Sequence, residues 1–171
     1  MKKTLLALVA VLGFAGAASA QDFQFQAGYG GYTQMDASNM AGGANVNTSW
    51  GAVTGGFTVR ILPGMRVGAS YSFSSASYKD NAPGNAYYHS VMFNVMYDYY
   101  RRGALTIYSH VGMGVDISHM STPGYSFNKT YYAYQASPFG AEYNIGSGCN
   151  LFGEVGYGAQ GLLQVGVRVK L

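Results

Sequence analysis

Residues 162–171 read LLQVGVRVKL and alternate between apolar side chains and polar or small ones. Successive side chains of an extended strand point to opposite faces. The segment therefore predicts a β-strand with one apolar face. That apolar face carries Leu163, Val165, Val167, Val169 and Leu171. We interpret this strand as the last in a sheet, and we expect it to pair with the first strand, FQFQAGYG, which begins at Phe23.

The same period-two alternation recurs along the chain and predicts eight strands. Their expected ranges are 23–35, 51–61, 66–74, 90–100, 105–117, 132–145, 151–158 and 162–171. In every strand the apolar face is formed by odd-numbered residues. The first half of the sixth strand departs from this rule, because Gln135 and Ser137 would fall on the apolar face. We therefore predict a β-bulge near Ser137 and Pro138, where proline also lacks a ladder hydrogen bond.

The connections between these strands differ in length. Residues 62–66, 100–104 and 146–150 are short, whereas residues 36–50, 75–87 and 118–131 are longer and rich in Ser, Asn, Gly and Met. Residues 159–161 break the alternation, because they are short where a long connection is expected. Short turns at one end and longer loops at the other are typical of outer-membrane barrels.

Two hairpin registers follow from the short turns, because an odd number of loop residues keeps odd residues opposite odd ones. A three-residue turn at 63–65 places Phe57 opposite Tyr71. A turn centred on Gly148 places Glu142 opposite Glu154.

Composition distinguishes a membrane barrel from a soluble one. Only 10% of the 171 residues are charged, against about 25% in a typical soluble domain. The even-numbered faces consist mainly of small or polar residues with few charges, whereas a solvated outer surface would carry many Lys and Glu residues. The formal net charge of +3 falls nearly to zero without Lys2 and Lys3, which argues against a nucleic-acid partner.

The N-terminal 20 residues have the pattern of a secretory signal peptide. Lys2 and Lys3 precede a short apolar run, and an Ala-Ser-Ala site ends at Ala20. We expect cleavage between Ala20 and Gln21, leaving residues 21–171 as one barrel domain. The single cysteine, Cys149, cannot form a disulfide within the chain, so it is either a reduced thiol or an intermolecular partner.

Three segments carry a family resemblance. YQASPFGAEYNI, LFGEVGYG and GLLQVGVRVKL resemble the outer-membrane protein β-barrel domain family of Gram-negative bacteria, the small OmpA/OmpX-like barrels. The resemblance implies an all-β, eight-stranded antiparallel up-and-down transmembrane barrel in the cell outer membrane. It also implies contact with outer-membrane lipid and lipopolysaccharide, and folding by the barrel-assembly machinery. The family's last strand ends on an aromatic residue, where this sequence has Leu171.

Function is less constrained than fold. An eight-stranded lumen holds side chains or one small ligand. The favoured hypothesis is a non-enzymatic structural or adhesion-type barrel, with a possible extracellular ligand at loops 36–50, 75–87 and 118–131. The alternatives are a lipid-modifying enzyme of the lipid A deacylase type and a narrow channel or small-ligand binder.

Candidate catalytic and metal-binding residues are few. His119 and Ser121 resemble the His-x-Ser pair of the deacylase barrels, but that family's glutamate would fall at Ala133 or Tyr134. His89 and His110 lack the clustered partners of a metal site. We therefore predict no catalytic residue, cofactor or metal.

A charge network is expected in the periplasmic half of the lumen. Its predicted members are Arg60, Arg66, Glu142, Glu154, Arg168 and Lys170. Two facing carboxylates repel unless cations lie nearby, and an arginine can bridge two carboxylates. The alternative, an acid/base pair for hydrolysis, needs a route for substrate. A crowded lumen favours the structural interpretation.

Overall fold

The computed structural model describes residues 23–79 and 83–171, so the predicted signal peptide and the Ala20–Gln21 cleavage site lie outside the described residues. The strands are β1 (Phe23–Gly31), β2 (Ala52–Leu62), β3 (Met65–Ser77), β4 (Asn85–Arg102), β5 (Leu105–Thr122), β6 (Tyr125–Gly146), β7 (Cys149–Gly158) and β8 (Leu163–Lys170). One helix, α1 (Gln34–Ala41), lies between β1 and β2.

The eight strands form a closed antiparallel barrel in chain order, as predicted. β8 pairs with β1, with Phe25 opposite Val169 and Gly28 opposite Gly166. Closure leaves no unpaired sheet edge in the bilayer. Gly166 is required at this seam, because a Cβ there would overlap the Ala27 carbonyl oxygen.

The predicted faces are confirmed. Most odd-numbered apolar residues of β1 to β5, β7 and β8 point outward and are partly or about half exposed, which suits a lipid-facing surface. Val59 of β2 is an exception and is buried. In the first half of β6 the even-numbered residues point outward instead, because Gln135 and Ser137 are buried and Tyr134 is exposed. The reversal occurs at a register shift just beyond Ser137, which confirms the predicted bulge.

Both predicted hairpin registers were wrong by two residues. Phe57 pairs with Ala69 rather than Tyr71, and Glu142 pairs with Phe152 rather than Glu154. In each hairpin the turn has two residues, and a bulge interrupts the ladder just before it. A shift of two residues along a strand leaves each side chain on the same face of the sheet, so the predicted inward and outward directions are unchanged.

The extracellular end differs from the predicted loops. β4 and β5 have 18 residues each and β6 has 22, whereas about 9–11 residues span a bilayer. Most of 118–131 is therefore paired strand, closed by a tight turn at Pro123 and Gly124. Residues 75–77 and 85–87 likewise belong to β3 and β4.

The first long connection contains α1, which was not predicted. Thr33 is its N-cap, and Thr33 and Asp36 form a capping box, which satisfies two backbone donors at the helix start. β1 consequently ends at Gly31 rather than at residue 35. No helix in the described part of the chain is long and apolar enough to cross a membrane.

Candidate functional site

Four of the six predicted network residues meet inside the barrel. Arg168 donates from Nη1 to Glu142 Oε2 at 2.7 Å and from Nη2 to Glu154 Oε1 at 2.9 Å. Arg66 donates from Nη1 to the same Glu142 oxygen at 2.9 Å. The two carboxylates are therefore not direct neighbours in the sheet but are joined through the Arg168 guanidinium, whose planar fork suits a bridging role.

Asp98 extends the network toward the periplasmic end, although it was not among the predicted residues. It accepts from Arg66 Nη2 at 2.6 Å, from Arg101 Nη2 at 2.8 Å and from Arg60 Nη1 at 3.4 Å. Asp98 has an even residue number, and the even-numbered residues of β4 were predicted to point inward, so the sequence could have indicated that its side chain enters the lumen. Lys170 lies at the exposed end of β8, outside this cluster of described side chains.

Tyr108 and His110 complete the network on the β5 side. Tyr108 Oη donates to Glu154 Oε1 at 2.7 Å, and His110 Nδ1 lies 2.9 Å from Glu154 Oε2. His110 Nε2 lies 3.0 Å from Asn94 Oδ1, while the Asn94 amide nitrogen donates to Ser70 Oγ. Both ring nitrogens of His110 thus lie within hydrogen-bond distance of a side-chain oxygen, so the imidazole links Glu154 to Asn94 across the lumen.

Side chains fill the lumen at the depth of this network. The Arg168 guanidinium lies 4.1 Å from the Phe152 ring centroid and 4.7 Å from that of Tyr108. The members that are at most 2% exposed are Arg66, Asn94, Tyr108, His110, Glu154 and Arg168. A water-filled channel past them would leave these side chains accessible to solvent. The arrangement closes the barrel at this level.

A second layer lies above the charges. Gln160, from the β7–β8 connection, folds inward and donates from Nε2 to Ser70 Oγ at 2.8 Å. Gln164 Nε2 donates to Gln160 Oε1 at 3.0 Å, and Gln135 Oε1 accepts from the Gln160 backbone. The short connection after residue 158 thus contributes to the lumen filling.

α1 is anchored across the extracellular mouth. Gln34 Nε2 donates to the Tyr132 carbonyl at 2.6 Å, and its Oε1 accepts from the Tyr134 backbone at 3.1 Å. Asn39 Nδ2 donates to Tyr88 Oη at 2.7 Å. These contacts tie the helix to β6 and β4, so the mouth is covered by a hydrogen-bonded element.

A cavity of about 500 Å³ lies between α1 and the projecting β5–β6 hairpin. We call it the extracellular vestibule. Its larger apolar side chains are Met35, Val46, Tyr78, Met120 and Phe127, and Ser38, Asn39 and Asn45 add polar groups to the wall. Among the described lining residues Lys129 is the cation, and its Nζ lies 5.5 Å from the Phe127 ring centroid.

The remaining candidates do not assemble into a reaction centre. His119 Nδ1 lies 2.6 Å from Asn128 Oδ1, and its ring stacks on Tyr87. Ser121 is on the same strand face, but no contact between described residues brings a carboxylate to this pair. Within 23–79 and 83–171, no three His, Cys, Asp or Glu side chains cluster as metal ligands would. Cys149 is partly buried at the start of β7.

Comparisons with known proteins agree on the fold. The family model for the outer membrane protein beta-barrel domain matches residues 4–162. No curated protein sequence matches the chain. The crystal structure of Neisserial surface protein A (NspA) is similar, with a TM-score of 0.57 at 13% identity, covering 91% of this chain and 99% of that one. Ail, the attachment invasion locus protein of Yersinia pestis, has a TM-score of 0.50 at 12% identity, covering 86% and 91%.

Proposed function

The chain belongs to the outer membrane protein beta-barrel domain family and lies in the cell outer membrane, and on that premise we propose that it is a non-enzymatic surface-interaction barrel with a plugged lumen. The barrel anchors the protein, and the extracellular end meets the ligand. The charge network, the glutamine layer and α1 act as the plug. Assembly by the barrel-assembly machinery and contact with lipopolysaccharide are part of this proposal.

The observation that carries the proposal is the length of the β5–β6 hairpin. The barrel needs about 9–11 residues per strand to cross the bilayer, yet β6 has 22. The excess residues project from the outer surface as a paired and therefore ordered element. Tyr125, beside the tight turn of this projection, is 67% exposed. Exposed tyrosines on a rigid element are favourable contact residues, because they offer large area at low entropic cost.

The extracellular vestibule adds a recess to this projecting surface. Its apolar wall would accept an apolar group, and Lys129 would favour an acidic group beside it. We therefore infer a ligand that presents apolar and acidic groups together. The two similar structures are of a surface protein and an attachment invasion locus protein, which supports a surface role.

Shortening the hairpin tests this function. Because His119 pairs with Asn128, residues 120–127 can be replaced by Asn-Gly, a favoured two-residue hairpin turn. Bacteria that display the shortened barrel should bind cultured epithelial cells several-fold less than bacteria with the full hairpin. The shortened barrel should still migrate differently before and after boiling in SDS, which shows that it folds.

A matched control changes the opposite end of the barrel. Ser147→Asn lies in the periplasmic turn, where Ser147 has a φ of 51°, a conformation that asparagine tolerates. This control should bind cells like the wild type. Undiminished binding by the folded, shortened barrel would contradict the proposal. A change in the lipid A mass spectrum on expression would instead support the lipid-modifying alternative.

A further inference from the structure

A groove of about 470 Å³ lies at the periplasmic rim, between the β2–β3 turn and the end of β4. We call it the rim groove. It is lined by Arg60, Ile61, Leu62, Pro63, Gly64 and Arg101. The Asp98 backbone N–H donates to the Gly64 carbonyl at 2.6 Å. The turn is therefore fastened to β4, and the groove has defined walls.

Positive charge dominates this end of the protein's surface. The five Asp and Glu side chains in the described ranges are buried and belong to Asp36, Asp98, Asp116, Glu142 and Glu154. Exposed charged side chains near the rim belong to Arg101, Arg102 and Lys170. An anion that approaches the rim groove meets exposed cations and no exposed acidic side chain among the described residues.

Arg101 is the cation best placed to bind a ligand in the groove. Its side chain is 52% exposed, and its Nη2 donates to Asp98 Oδ2 at 2.8 Å. A guanidinium has five N–H donors in a fixed fork, so one contact with Asp98 orients the group and leaves donors for a second anion. Arg60, which also contacts Asp98, adds a second positive charge to the groove wall.

The other groove wall is apolar and faces outward. Ile61 and Leu62 are 50% and 57% exposed, and Pro63 continues the apolar surface. Tyr97 and Tyr100 lie nearby on β4 and are also about half exposed, as expected for an aromatic girdle at the membrane interface. The groove thus places guanidinium groups beside apolar side chains at the level of lipid headgroups.

We propose that the rim groove binds an anionic phospholipid of the periplasmic leaflet. The lipid phosphate accepts hydrogen bonds from Arg101, a pairing that the guanidinium fork favours, and the first part of an acyl chain lies along Ile61 and Leu62. A soluble anion would gain nothing from the apolar wall. A zwitterionic lipid would gain less from the two arginines. This site lies at the opposite end of the barrel from the proposed interaction surface and is independent of it.

Native mass spectrometry of the refolded full barrel tests the site. The protein is titrated with phosphatidylglycerol or with phosphatidylcholine of the same acyl chains, and the retained lipid is counted. The wild type should retain phosphatidylglycerol preferentially. Arg101→Gln should weaken that retention by about fivefold, the expected contribution of one arginine at an anionic surface. Its retention of phosphatidylcholine should change little.

Two further variants separate a defined site from general surface charge. Arg102→Gln removes the same charge one residue away, outside the groove lining, and should weaken retention by less than twofold. Leu62→Ser should weaken retention of both lipids, because it removes apolar contact. Equal losses for Arg101→Gln and Arg102→Gln would overturn the proposal, as would unchanged retention in Leu62→Ser or the absence of any preference in the wild type. Heat-modifiable migration in SDS checks that each variant folds.

Discussion

Replacing Arg168 with methionine lowers the free energy of unfolding of the refolded barrel by about 3–5 kcal/mol, the cost of breaking a buried ion pair from one side. Arg168 is fully buried and bridges Glu142 and Glu154. Its removal leaves Glu142 with Arg66 and Glu154 with His110, so each buried carboxylate loses one counter-charge. Urea titration of the barrel refolded into lipid vesicles measures the change.

Two variants control for the loss of charge in Arg168→Met. Lys170→Met removes a cation two residues along the same strand, at its exposed end, and should change the free energy of unfolding by less than about 1 kcal/mol. Adding Glu154→Gln to Arg168→Met should recover part of the lost stability, because it removes one unbalanced carboxylate. Equal stability of Arg168→Met and Lys170→Met would contradict the network.

An arginine on the lipid face should also have a large effect. Met113 is 73% exposed and pairs with Phe93, which lies between the aromatic residues Tyr87 and Tyr97 of β4. We therefore place Met113 near the middle of the bilayer. Met113→Arg should lower the free energy of unfolding in lipid vesicles by about 2–4 kcal/mol, the cost of an arginine facing lipid at the bilayer midplane.

The controls for Met113→Arg test position and size separately. Tyr125→Arg introduces the same residue at an exposed site beside the tight turn of the projecting hairpin and should be close to neutral. Met113→Leu keeps an apolar side chain of similar volume and should also be close to neutral. If Met113→Arg and Tyr125→Arg were equally stable, the assignment of Met113 to the lipid face would be wrong.

The sequence was sufficient to predict the barrel because lipid imposes a period-two pattern on each strand. Strand closure, the outward face and the bulge beyond Ser137 all followed from that pattern. The projecting parts of β5 and β6 were predicted as loop because both faces of these segments lie outside the bilayer. Because neither face of these segments meets lipid, their sequence does not alternate between apolar and polar residues. Pro123 and Gly124 nevertheless mark the turn between them.

Register and partner identity were harder to predict. When the pairing of two strands shifts by two residues, every side chain stays on the same face of the sheet. The alternation therefore could not reveal the bulges beside the tight turns of the β2–β3 and β6–β7 hairpins. The network joins residues of strands that are not neighbours, such as Arg66 on β3 and Glu142 on β6. Their even residue numbers predict that both side chains point inward. Whether the two side chains lie at the same depth in the lumen depends on the stagger between the strands.

α1 was missed for a different reason. Its eight residues form a helix too short to show amphipathic periodicity. The only local signal is the capping pair Thr33 and Asp36, and Asp36 also accepts from the Ser49 backbone at 2.6 Å. That second contact joins residues 13 positions apart, and the sequence pattern does not indicate it.

Single-channel recording in planar lipid bilayers tests the central claim, that the lumen is closed by its own side chains. The refolded wild-type barrel should insert without producing discrete conductance steps, because the lumen residues around Arg168 are shielded from water. Insertion is verified independently by the heat-modifiable migration of the recovered protein. Reproducible, stable conductance steps from the wild-type barrel would contradict the account, since they require a continuous aqueous path past Arg168 and Glu154.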